Sequence, residues 1–384
     1  MQNATAEALA DLTSIEVLCA GRVVGTLARP SRDGITYFEY ASEWLRDGFS
    51  ISPYSLPLRP GVFRTEGAAP DELFGVFRDS LPDDWGRYVM DRRLEAEGIG
   101  AGRLTELSRL SLVGFAGLGA LEYGPRATLG QQGFAESSSL DFDRLSRECQ
   151  RLIDDGRAED LDSIYRYGSS SGGARPKVMV DLDEEPWIVK FPTSLDGRDS
   201  GRAEYETMLL ARECGIDIPE VRLLPSRSCA GFFATKRFDR RHDADGKHVK
   251  IHMASAAALL EVSPFDVVDY RDLMRLTAAL TGSVRDTEQL YRVMCFNVLI
   301  GNCDDHTRNF SYLYDEGQGT WRFSPAYDLT RDNGFLGEHS TLVNGRAADI
   351  GVSDLVFVGT EGGVSAHACR TIAREMSARV AREG

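Results

Sequence analysis

The feature that most restricts the fold is an apolar run that ends abruptly in a densely polar loop. From residue 287 to 300, Leu290, Val293, Met294, Phe296, Val298 and Leu299 lie all round a helix rather than on one face. This predicts a mostly buried helix that stops at Gly301. Directly after it come Gly301-Asn-Cys-Asp304-Asp305-His306-Thr-Arg308-Asn309-Phe310, a predicted hairpin over 310–314 and 320–323, and Ser324-Pro-Ala-Tyr-Asp328. Packing alone explains so much polarity between apolar elements poorly. Phosphoryl transfer needs a carboxylate to orient and deprotonate the attacking hydroxyl, and oxygen ligands for Mg²⁺. A loop Asp304, an Asn309 five positions on and an Asp328 after a hairpin follow that order. The plain alternative is a solvated loop with a capping Asp.

Two upstream segments fit the same chemistry. Gly168-Ser-Ser170-Ser171-Gly172-Gly173-Ala-Arg-Pro-Lys177 is a flexible loop running into a strand, whose glycines let backbone N–H groups approach phosphate oxygens. It is not a Walker A loop, because Ala174 stands where Lys is required and a strand follows. Residues 177–182 and 187–191 read as a hairpin separated by Asp183-Glu-Glu-Pro186, with Lys190 on the same face as Ile188. A lysine in an apolar strand needs an anionic partner or an outlet to water. Glu204 or Glu206, on a helix predicted over 201–214 with Leu209 and Leu210 inward, could provide the partner. Lys236-Arg-Phe238-Asp-Arg-Arg241 reads mainly as a solvated charge run, with a nucleotide hinge as its functional option. His306 reads as ordering its loop. The remaining histidines, including His242, His248 and His252, show no zinc-ligand spacing, and Gly114-Phe-Ala-Gly117-Leu-Gly119 reads as packing.

The rest of the chain bounds these readings. It opens with β-structure over 15–40, with a turn at Asp33-Gly34. It turns helical from Asp71 to Leu94, with Pro82 starting a second helix, and thins into a Gly/Ser/Gln/Pro linker from Pro125 to Ser139. The expected layout is an N-terminal domain over 1–130, a linker over 131–145, a smaller lobe over 146–240 and a mainly helical lobe over 241–384. The 384 residues carry 44 Lys+Arg against 59 Asp+Glu, a net −15 that repels a phosphate backbone, so DNA is expected only through a basic partner. Seven dispersed cysteines without a C-x-x-C pair read as reduced thiols in a cytoplasm, and no apolar run reaches a membrane span.

Five ordered blocks resemble the HipA family of toxin kinases: Ser170-Ser-Gly-Gly-Ala-Arg-Pro-Lys177, Trp187-Ile-Val-Lys-Phe-Pro192, Lys236-Arg-Phe-Asp-Arg240, Asn302-Cys-Asp-Asp-His-Thr-Arg-Asn-Phe310 and Ser324-Pro-Ala-Tyr-Asp328. Asp79-Ser-Leu-Pro-Asp-Asp-Trp-Gly86 looks like that family's N-terminal domain. The resemblance implies an α+β fold with a two-lobed protein-kinase-like catalytic region after a small β-rich domain. It implies a serine/threonine kinase using ATP and Mg²⁺, with Asp304 as base and Asn309 and Asp328 as metal ligands. Lys190 would hold phosphates with Glu204 as partner. Ser170, Ser171, Gly172, Gly173 and Lys177 would lie on the phosphate side, Lys236 and Phe238 beside the nucleotide. Ser170 is the matched autophosphorylation site. It further implies a small DNA-binding, HipB-like antitoxin and an aminoacyl-tRNA synthetase as substrate. The family's frequent His-Gln-Glu-Asp block reads His252-Met-Ala-Ser255 here, so the resemblance carries the substrate class rather than glutamyl-tRNA synthetase in particular. The rival readings are a metal-dependent phosphohydrolase using Asp304, Asp305 and His306, and a non-catalytic co-repressor that only holds an antitoxin.

Overall fold

The computed structural model describes residues 9, 12–30, 35–65, 73–125, 140–168, 173–243, 245–332, 334 and 337–383. The Asp33-Gly34 turn, Asp71, most of the 125–139 linker and the serines at 169–171 with Gly172 lie outside them. Two compact units are present: one holds the described residues up to Gly201 with 222–253 and 258–261, the other holds 202–221, 254–257 and 262 onward.

In the first unit, β1 (Ser14–Cys19), β2 (Arg22–Ala28), β3 (Tyr37–Tyr40), β4 (Val62–Arg64) and β5 (Leu121–Gly124) form an antiparallel sheet in the order β4-β3-β2-β1-β5. Ile15, Val17 and Cys19 point inward while Ser14 and Glu16 face water, the period of two expected of a half-buried strand. The β1–β2 turn is Ala20-Gly21, with φ of +50° and +76°, the left-handed pair that a two-residue hairpin favours. Helices Gly75–Arg78 and Asp84–Ala96 follow on either side of Pro82, as the sequence predicts.

The same unit carries a second sheet of β6 (Lys177–Leu182), β7 (Glu185–Lys190), β8 (Val221–Leu224) and β9 (Phe232–Lys236), ordered β6-β7-β9-β8. The β6–β7 turn is two residues, Asp183-Glu184 at φ +52° and +64°, tighter than the four-residue separator expected, because pairing extends to Leu182 and Glu185. A hairpin of β10 (Arg240–His242) and β11 (His248–Lys250) forms a separate two-stranded sheet in this unit. Trp85, Val89, Met90 and Leu94 of the 84–96 helix share one apolar core with Ile164 and Tyr165 and with Val178, Val180, Trp187 and Val189 of the second sheet. Each side chain buried this fully contributes ~1.5–3 kcal/mol.

The 236–241 run is not solvated as the sequence suggested. Arg237 and Asp239 are buried, and the Arg240 guanidinium is nearly so. The Asp239 carboxylate accepts from Arg237 and Arg240 at 2.7 Å each and from the Gly119 N–H at 2.7 Å. Both arginines also donate to the Gly117 carbonyl, at 3.1 and 3.0 Å. The glycine-rich 114–119 loop is thus a packing element, as expected, and the charges are what it packs against.

In the second unit, helices Tyr270–Thr281 and Val284–Ile300 pack on a hairpin of Ser311–Asp315 and Thr320–Phe323, and helices Val352–Glu361 and Ala366–Glu383 pack on those two helices. The 284–300 helix starts earlier than its apolar pattern indicates, since Ser283 caps it by accepting from the Asp286 N–H at 3.2 Å. It stops at Gly301, φ +71°, where the Gly301 and Asn302 N–H groups both reach the Asn297 carbonyl. The helix expected over 201–214 runs from Ser200 to Glu213, and of its two predicted inward leucines Leu210 is buried and Leu209 half-buried. Among the described residues no helix is long and apolar enough to cross a membrane, and all seven cysteines are free thiols.

Candidate functional site

The stop at Gly301 hands the chain to the polar loop, and backbone bonds fix that loop on both sides. The Cys303 N–H donates to the Asp332 carbonyl at 2.7 Å, and Ser340 donates to the Cys303 carbonyl through N–H at 3.0 Å and hydroxyl at 2.9 Å. Asp304 is left with its carboxylate 60% exposed, on the wall of a cavity of about 490 Å³ that Asp332, Glu338 and His339 also line. Its carboxyl lies above the ordinary carboxylate range. Lost hydration raises it most, and the charges of Asp332, Asp328 and Asp305 add to this against the opposing His306.

Asn309 sits on a single 3₁₀ turn, Thr307–Asn309. Its Nδ2 donates to the Asp304 backbone carbonyl at 2.7 Å, which ties the two residues together and leaves Oδ1 as the amide's acceptor. Tyr327 holds the other flank by donating to the Arg308 carbonyl at 2.6 Å. Asp328 follows in left-handed backbone, φ +53°, a conformation that Asp tolerates better than most residues and that marks local strain.

Beneath the loop lies a buried network the sequence reading did not foresee. Asp305, fully buried, accepts from the Tyr270 hydroxyl at 2.8 Å, His339 Nδ1 at 3.0 Å and the Thr341 N–H at 3.2 Å. Tyr270 in turn accepts from Asn297 Nδ2 at 3.0 Å, and Asn297 Oδ1 accepts from Asn302 Nδ2 at 3.0 Å. Burial, with Asp305 beside it, pushes the Tyr270 hydroxyl well above its ordinary range. His306 contributes less than expected. Its Nε2 is 3.8 Å from Asp304 and its Nδ1 is buried without a hydrogen-bond partner among the described residues. Asp305, not His306, orders the loop. A carboxylate with three internal donors is not presented to a substrate, so Asp305 is not available for the role the phosphohydrolase reading gives it.

In the first unit, Lys177 stands directly across from Lys190 in the β6–β7 register, Lys177 buried and Lys190 half-buried with its ammonium 5.5 Å from the Phe233 ring. Like charges facing each other on neighbouring strands are unfavourable unless anions neutralise them. Gly173 closes the described end of the Gly/Ser loop. Its N–H donates to Asp83 at 2.6 Å and its carbonyl accepts from the Trp85 N–H at 3.4 Å, so the start of the 84–96 helix anchors the loop. Gly173 has φ +86°, a conformation that strains any other L residue, which explains the glycine. Lys236 is 2.9 Å from Glu185, and Phe238 is half-buried. Glu204 is buried in the second unit. Contrary to the sequence reading, two histidines do meet: His242 and His248 lie beside Glu185.

Comparison with known proteins agrees with this architecture. The HipA N-terminal domain matches residues 15–124 and the HipA-like C-terminal domain residues 169–383. The protein Y4mE of Sinorhizobium fredii is 28% identical over 80% of this chain and 75% of its own. The serine/threonine-protein kinase toxin HipA of Shewanella oneidensis is 22% identical over 78% and 71%. A solved complex of Shewanella oneidensis HipA, HipB and operator DNA contains a chain with TM-score 0.70 and 17% identity, covering 96% of this chain and 90% of that one. That likeness gives the α+β fold with its β-rich N-terminal region. With both domains matched in order and the second alone spanning more than half its length, the chain belongs to the HipA family.

Proposed function

We propose that this chain is a serine/threonine protein kinase that moves the ATP γ-phosphoryl group to a protein hydroxyl, and that it acts as the toxin of a toxin–antitoxin pair. The observation that carries the reading is the grouping of Asp304, Asn309 and Asp328 about one loop, with the Asp304 carboxyl raised by lost hydration first and by its carboxylate neighbours after it. Such a group favours a hard cation, and carboxylate and carboxamide oxygens are the donors Mg²⁺ takes. Asp328 and Asn309 Oδ1 would hold the ion, which supplies charge neutralisation on the phosphates when bound. Asp304 orients the acceptor hydroxyl and takes its proton. Lys190 and Lys177, with Glu204 as the expected partner of Lys190, receive phosphate oxygens, and Lys236 and Phe238 flank the nucleotide.

The substrate class we assign is an aminoacyl-tRNA synthetase. The partner is a small, basic, HipB-like antitoxin, which suits a chain of net −15 and would carry any DNA contact. Ser170 is the proposed site of regulatory autophosphorylation, where added negative charge would repel the nucleotide phosphates. The test is incubation with γ-labelled Mg·ATP and a cell lysate, followed by mass spectrometry of labelled proteins and of residues 169–171. Asp304→Asn should lower transfer by about 10²–10⁴-fold while nucleotide binding persists. Transfer unchanged in that variant would refute the role of Asp304.

A further inference from the structure

We propose that Glu185, His242 and His248 form a binding site for a zinc-like divalent transition ion. The site shares no residue with the candidate Mg²⁺ ligands and does not depend on the kinase reading.

The hairpin β10–β11 makes His242 and His248 direct cross-strand partners. Asp243 fixes that register, because its N–H and its carboxylate close the turn: the Asp243 N–H donates to the Lys247 carbonyl at 2.9 Å and Oδ1 accepts from the Lys247 N–H at 2.8 Å. The two rings lie 4.1 Å apart, and one donor atom from each ring and from Glu185 falls within 4.8 Å of the others.

The second observation concerns the opposite side of each ring. His242 places Nδ1 at 2.9 Å from the Gly246 carbonyl, and His248 places Nε2 at 2.7 Å from the Glu184 carbonyl. A carbonyl can only accept, so those nitrogens carry the ring protons. The other nitrogens, His242 Nε2 and His248 Nδ1, are therefore the ones left to meet an ion. Backbone carbonyls that fix the tautomer in this way are the usual support of metal-bound histidines.

His242 Nε2 stands 3.3 Å from Glu185 Oε1. Bonds of about 2.0–2.1 Å to a tetrahedral ion place neighbouring ligand atoms about 3.3–3.4 Å apart, so this edge is already at its metal-bound length. Two imidazoles and one carboxylate leave the fourth position to solvent, a set that favours Zn²⁺ over Mg²⁺. Lys236, 2.9 Å from Glu185, neutralises the carboxylate in the absence of metal and is the group an arriving ion displaces.

The test uses the full chain, freed of metal by a chelator and held in excess Mg²⁺ to fill oxygen-ligand sites, titrated with Co²⁺. A visible absorption band should saturate near one equivalent and be bleached by Zn²⁺. His242→Ala and His248→Ala should each lower Co²⁺ affinity at least about tenfold. In the unsubstituted protein, Zn²⁺ should shift two of the six imidazole resonances, which keeps the test valid if a variant misfolds. Absence of a band, a band that survives in both correctly folded variants, or imidazole shifts confined to other histidines would overturn the site.

Discussion

Asp305 and Asp304 are adjacent and chemically identical, yet the chain puts one in the cavity wall and the other in the interior. Removing the buried carboxylate would strand the Tyr270 hydroxyl, His339 and the Thr341 N–H. Asp305→Ala should therefore lower the unfolding free energy by ~2–4 kcal/mol and reduce phosphoryl transfer with less effect on ATP affinity; denaturant melts and kinetics on one preparation check both. An unshifted melt would mean the network bears no weight. His252 is a second residue whose environment has a measurable sign. It is buried, its Nε2 is 2.8 Å from the Ile51 carbonyl, and loss of hydration pulls it down to about 4 from an ordinary 6.5. Between those values the unfolded chain binds the extra proton. Stability from neutral His252 is present above about pH 6.5 and is lost as pH falls towards 4, by up to ~3 kcal/mol. Urea midpoints at pH 7 and pH 5 should diverge in the wild type more than in His252→Gln; equal divergence would exclude His252 as the source.

At the scale of elements, what could be read from sequence depended on how far apart the partners stand. The loop after Gly301 was legible because its polarity, spacing and flanking apolar runs are all local. Tyr270 and Asp305 are 35 residues apart, and no periodicity joins them. The 236–241 segment was misread for the same reason. Its charges look solvated until the 114–119 loop, some 120 residues earlier, is laid against them. Burial alone would raise the Asp239 carboxyl, but the charges of Arg237 and Arg240 and the Gly119 N–H hold it well below the ordinary carboxylate range. Its contribution is present above pH ~4 and is lost only as acid drives the pH below that. Asp239→Asn leaves two guanidinium groups without their shared counter-charge and should destabilise by ~3–5 kcal/mol, read as a lowered denaturation midpoint. An unchanged midpoint would mean the arginines find other neutralisation.

At the scale of the molecule, the α+β class, the β-rich opening and the order of the kinase-like blocks were all visible in the chain. Segment packing was not, because amphipathic patterning says that a helix has an inner face without saying what covers it. The 84–96 helix is the example: it lies within the stretch matched by the N-terminal domain, and its apolar face packs on the 161–168 helix in one core with the sheet that opens the C-terminal match. The seam between the two family matches is therefore a boundary of inheritance, not of solvation. Exchanging the N-terminal half with that of a relative would transplant Trp85, Val89, Met90 and Leu94 onto a surface shaped for other side chains, so the two halves are expected to change together over evolutionary time, although a long polar stretch of chain separates them.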